Sequence, residues 1–111
     1  MDESQTMPER PTPLDDGDDL DAFVDEYDLA LVEFYTDGCS ICASMEPILG
    51  NVHRSTAATV GTINPRDDPP LVEEYDVRSV PKLLYFEDGD LVDTREDGFV
   101  PADDLVAFVG E

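Results

Sequence analysis

Apolar residues recur along this chain with two different periods. Leu20, Phe23, Val24 and Tyr27 follow the i, i+3, i+4, i+7 spacing of an amphipathic helix, and the acids from Asp15 to Asp19 suit its start. From Leu29 to Tyr35 the chain is nearly continuously apolar, broken by Glu33, which predicts a central strand covered on both faces. Thr36-Asp37-Gly38 supplies a turn. Ile41, Met45, Leu49 and Val52 then fall on one side of a helix over about 40–54, with Pro47 inside it, where a proline should kink the axis. Thr59 to Asn64 gives a short strand. The stretch 64–70, with Pro65 and Pro69, reads as loop, and Leu71, Val72 and Tyr75 give a short helix. Lys82 to Glu87 is a second strongly apolar strand. Asp88-Gly89 is a tight-turn signal, and Leu91 to Arg95 returns as the hairpin partner. Pro101 suits the first position of a last helix whose buried stripe is Leu105, Phe108 and Val109, with Gly110 near its end. Phe23, Phe34, Phe86 and Phe108 are expected in the core.

The alternation of helix and strand in the first part implies parallel crossovers, and the final hairpin is antiparallel. A mixed central sheet with helices on both faces, an α/β architecture, satisfies both. The length of 111 residues fits one domain, and 41% hydrophobic residues suffice for its core. Residues 1–14, with Pro8, Pro11 and Pro13, read as a flexible tail, and residues 15–111 as the domain. No apolar run approaches the roughly 18 residues of a membrane span. The start of the chain lacks the basic and apolar order of a secretory signal, so a cytoplasmic location is expected.

Charge changes this picture more than any other bulk property. Lys82 is the single lysine, and with five arginines it faces 28 acids, for a net charge of −22. Such a surface repels nucleic acid and anionic membranes, and neither is expected as a partner. Self-repulsion on this scale also suits concentrated salt, where the Debye length falls to about 3 Å. The composition therefore points to an extreme halophile and to partial unfolding at low salt.

Chemistry concentrates in Cys39-Ser40-Ile41-Cys42, directly after the central strand and at the start of a predicted helix. Unpaired N–H groups at a helix start favour a thiolate, and a second thiol one turn later can close a small disulfide ring. In a reducing compartment a lone pair of this spacing is more often catalytic or metal-binding than a static staple. Cys39, Cys42 and His53 could be three metal ligands. His53, however, lies three turns along the same helix, and a structural zinc site normally takes about four ligands. A cluster shared between two chains, each giving two thiolates, stays open. No Gly-rich phosphate loop, calcium-loop spacing or Ser–His hydrolase signature is evident.

With its neighbours, the cysteine pair resembles the thioredoxin family over about Leu20 to Val109. The resemblance rests on Cys39-x-x-Cys42 after a central strand, Glu33 six residues earlier, and Pro47 five residues later. It extends to Val80-Pro81 before a strand, Asp88-Gly89 in a hairpin, and Gly98 beyond it. It implies a thioredoxin fold and dithiol–disulfide exchange on protein substrates, with no organic cofactor and no metal. Cys39 would be the attacking nucleophile and Cys42 the resolving thiol. Glu33, costly in an apolar strand unless its pKa rises, would accept the proton of Cys42. Val80 and Pro81, the latter cis in the family, would present backbone to an extended substrate segment, and Gly98 would line the same groove. Pro47 shapes the helix. A monomer is expected, supplied with electrons by a flavin-dependent reductase.

Several positions depart from the family. Its usual tryptophan before the first cysteine is Gly38 here, its Gly-Pro pair is Ser40-Ile41, its acid is a shorter aspartate, and Thr62 stands where the acid's lysine partner is usual. The intervening pair helps set the reduction potential, which in this superfamily spans about −270 to −120 mV. A glutaredoxin-like or isomerase-like role stays open on these residues. So does a non-catalytic adaptor that binds through the Val80-Pro81 face.

Overall fold

The apolar run at 29–35 becomes the middle strand of a five-stranded sheet. A computed structural model of the protein describes residues 10–96 and 98–110. In chain order the elements are β1 (Thr12–Leu14), α1 (Gly17–Glu26), β2 (Leu29–Phe34), α2 (Ser40–Ser55) and β3 (Thr59–Ile63). They continue with α3 (Pro70–Glu74), β4 (Lys82–Glu87), β5 (Asp90–Arg95) and α4 (Ala102–Phe108). The spatial order is β1-β3-β2-β4-β5. β3 runs parallel to β1 and β2, while β4 runs antiparallel to β2 and β5. This is the thioredoxin fold, with the mixed sheet anticipated from the alternating elements.

Strand periodicity divides the core in two. Ala30, Val32 and Phe34 of β2 face Leu20, Phe23 and Val24 of α1 together with Leu71 of α3. Leu31 faces the other way, with Met45, Leu49 and Val52 of α2 and Leu105 of α4. A residue's parity along β2 therefore decides which helix layer it meets. Asp16 caps α1, its carboxylate accepting from the Asp19 N–H at 2.9 Å. At the far end of α2 the buried His53 accepts the Val60 N–H on Nδ1 at 3.1 Å, tying the helix to β3.

Some boundaries differ from the sequence reading. Thr12–Leu14 lie within the stretch read as tail, yet they pair with Gly61–Ile63 as an edge strand. The rest of that stretch, up to residue 9, lies outside the described residues. Pro65–Asp67 form one 3₁₀ turn inside the expected loop, capped by the Asn64 side chain. Pro101 precedes α4 rather than opening it. α2 runs on through Pro47, whose missing N–H leaves the carbonyl one turn back without its helical donor. The hairpin between β4 and β5 turns at Asp88 and Gly89, with φ of 53° and 85°. Two positive φ values mark the turn type whose twist matches the flanking strands. A register shift between Tyr85 and Phe86 bends this hairpin.

Candidate active site

Cys39 stands at the N-cap of α2, and Cys42 lies in the first turn. The two are joined as a disulfide with Cα atoms 5.2 Å apart. The Cys39 sulfur accepts the Cys42 N–H at 3.1 Å, so the helix start is satisfied by sulfur rather than by a hydroxyl or carboxylate. A thiolate released at Cys39 inherits that donor and the helix field, both of which stabilise it. Exposure divides the pair: Cys39 is half-buried, and Cys42 is 4% exposed.

Parity along β2 puts Glu33 on the same face as Leu31, the α2 side. It is 2% exposed, and its Oε2 has no hydrogen-bond partner among the described residues. Burial, and then the charge of Glu46, push its pKa up from 4.5 to about 8. The register sets Thr62 directly beside it on β3, so a hydroxyl occupies the neighbouring position and no ammonium does. Glu33, Thr62, Cys39, Cys42, Glu46 and Arg54 all line one open cleft of about 720 Å³.

The other predicted residues arrive at the same end of the sheet from the antiparallel strands, since Lys82 of β4 pairs with Phe34 of β2. The Val80 carbonyl oxygen lies 4.0 Å from the Cys39 sulfur. The Val80–Pro81 peptide bond is cis, and Pro81 is buried at the entrance to β4. Gly98, at φ +92°, sits on the connection from β5 to α4 with nothing within 4 Å of where a Cβ would stand. Two residues on, the Val100 N–H donates to the Met45 sulfur at 3.4 Å, holding this connection against α2 just beyond the cysteines.

The structure thus brings Cys39, Cys42, Glu33 and Val80-Pro81 to one end of the sheet. His53, weighed as a metal ligand, is engaged at the opposite end of α2. Sequence reasoning missed Glu46, which follows Cys42 by one helical turn and carried a signal in that spacing.

Known proteins share this arrangement. A family model described as Thioredoxin matches residues 14–111. A thioredoxin of Chlamydia caviae is 31% identical over 84 residues, covering 75% of this chain and 81% of its own. One from Pyropia yezoensis is 32% identical, covering 73% and 77%. The solved structure of a mutant thioredoxin from Halobacterium salinarum superposes with a TM-score of 0.89 at 30% identity, covering 95% of this chain and 92% of that one.

Proposed function

The chain belongs to the thioredoxin family, and from that membership we propose the parts its residues play. The protein is a thiol–disulfide oxidoreductase acting through Cys39 and Cys42 on protein disulfides, and a reductase returns its electrons.

In the reducing direction the Cys39 thiolate attacks one sulfur of a substrate disulfide. A mixed disulfide forms, and the other substrate sulfur leaves as a thiolate and takes a proton. Glu33, in its ionised form, then accepts the proton of Cys42. The resulting thiolate attacks the Cys39 sulfur, the mixed disulfide breaks, and the second substrate thiolate departs. Two electrons pass to the substrate, and the enzyme is left as the disulfide. The observation that carries these roles is a division of environments. Cys39 is a partly exposed helix cap beside the Val80 carbonyl, while Cys42 is buried and shares a cleft with a carboxyl held near pKa 8. A base with a pKa close to ambient pH is the effective one for proton transfer. Val80 and Pro81 are read as the backbone platform for an extended substrate segment, with Gly98 beside it.

The same reading extends to setting. A flavin-dependent reductase is the electron donor implied by the family. Reducing cytoplasm suits a single exchangeable pair, and self-repulsion at −22 favours a monomer. The acidic surface supports a halophilic origin. No described helix is long and apolar enough to cross a membrane.

The decisive experiment equilibrates the protein in high salt with dithiol buffers of set potential, traps thiols by alkylation and counts them by mass. A reversible two-electron transition between roughly −300 and −120 mV is expected. A pair that stays closed far below that window, or never closes, would overturn the exchange mechanism.

A further inference from the structure

The segment 76–79, between α3 and the Val80-Pro81 bend, belongs to no helix or strand. Two side chains hold it. Glu96, directly after β5, accepts the Arg78 and Ser79 N–H groups on one oxygen, Oε2, at 2.8 Å each. Its Oε1 lies 3.6 Å from the Lys82 ammonium, which also donates to the Asp76 carbonyl at 3.0 Å. The Lys82 and Glu96 side chains are only 7% and 26% exposed. The chain's single lysine is thus buried under this segment, where an unpaired ammonium would be costly. Burial tends to raise the Glu96 pKa, but the N–H bonds from Ser79 and Arg78 and the nearby Lys82 outweigh it and hold the pKa low. By contrast, the Arg78–Asp76 ion pair stands in open solvent, at 79% and 70% exposure, and contributes little.

We propose that Glu96, acting with Lys82, is a positioning residue for substrate docking: it latches segment 76–79 and so fixes the Val80 backbone against the Cys39 sulfur. Because Glu96 directly follows β5, the latch also ties segment 76–79 to the end of that strand. The proposal rests on the reading of Val80-Pro81 as the substrate platform. It separates two properties of the enzyme. The reactivity of the dithiol belongs to α2 and Glu33, whereas the register of an extended protein segment depends on the latch. A small disulfide needs no such register.

The test uses the full chain in high salt, in its dithiol form, mixed in single turnovers with insulin as protein disulfide and with bis(2-hydroxyethyl) disulfide as small probe. Glu96→Ala is expected to raise the half-saturating insulin concentration about tenfold while the limiting rate stays within about twofold. The rate on the small disulfide also stays within about twofold, and the Arg78 and Ser79 amides exchange with deuterium faster. Glu96→Gln can keep its oxygen on the two amides only by turning its NH₂ toward the Lys82 ammonium, so it falls between. If Glu96→Ala does not fold, the Gln variant decides by the same readouts. Pro81→Ala serves as the control for the platform. Unchanged insulin saturation in both Glu96 variants, with a rise in Pro81→Ala, overturns the latch and leaves the platform standing. Equal slowing on insulin and the small disulfide also overturns it. Unchanged saturation in Pro81→Ala removes the platform reading, and the latch's purpose with it.

Discussion

Glu33 is a buried carboxyl whose burial sets the pH dependence of stability, whatever it gives to the proposed chemistry. The unfolded chain releases this proton near pH 4.5, and the folded chain holds it to about pH 8. Between those values the native state binds more protons, so stability falls as pH rises through the window and levels off above it. At about 1.36 kcal/mol per pKa unit the loss reaches a few kcal/mol. Glu33→Gln should flatten the pH dependence of the denaturant midpoint between pH 5 and 8 and raise stability at the upper end. The same variant should slow resolution of a mixed disulfide about 10- to 100-fold at pH 7, seen as its persistence on rapid acid quench. Cys42→Ser should accumulate that mixed disulfide with a protein substrate, and Cys39→Ser should form none; mass spectrometry of alkylated samples separates the two. Glu33 was legible in the sequence because a carboxylate interrupting an apolar run has no cheap structural explanation. Glu96 was not, because nothing local separates it from the other acids. Its partners lie 14 to 18 residues away across the β4–β5 hairpin, and only folding brings them together.

At the level of elements, legibility followed periodicity. β2, α2 and the hairpin each carry enough apolar residues at one spacing to declare themselves, and the Asp88-Gly89 turn adds its own signal. β1 could not be read that way. It has three residues, one of them Pro13, and it exists because β3 offers it a parallel edge. The site inherits its accuracy from the long elements: β2 sets which face Glu33 takes, and α2 sets the spacing of the cysteines. One contact keeps β3 and α1 in place around them. A Cβ on Gly61 would stand 3.0 Å from Phe23 and 3.1 Å from Leu14, so the strand approaches the helix there because the side chain is missing. Gly61→Val should overpack this face and cost about 1–3 kcal/mol, measured as a lower denaturant midpoint.

For the molecule as a whole, charge and geometry make different demands. A net charge of −22 on 111 residues opposes compaction at low ionic strength. The midpoint of thermal unfolding should therefore rise steeply between about 0.1 M and 2 M potassium chloride, as the Debye length contracts toward 3 Å. Equal stability across that range, followed by circular dichroism, would count against the halophilic reading. The screening that relieves the fold also removes the repulsion that keeps copies of the chain apart. Among the described residues, β1 and β5 are the sheet edges that a neighbour could then pair with. β1 offers three residues and a proline, too little backbone to template another strand. β5 is longer and carries exposed Leu91 and Val92, but the irregular register at Tyr85 and Phe86 twists its ladder. That bulge needs no long-range field. In brine, where carboxylates no longer repel at a distance, resistance to edge-to-edge aggregation passes from the protein's charge to the shape of its last hairpin.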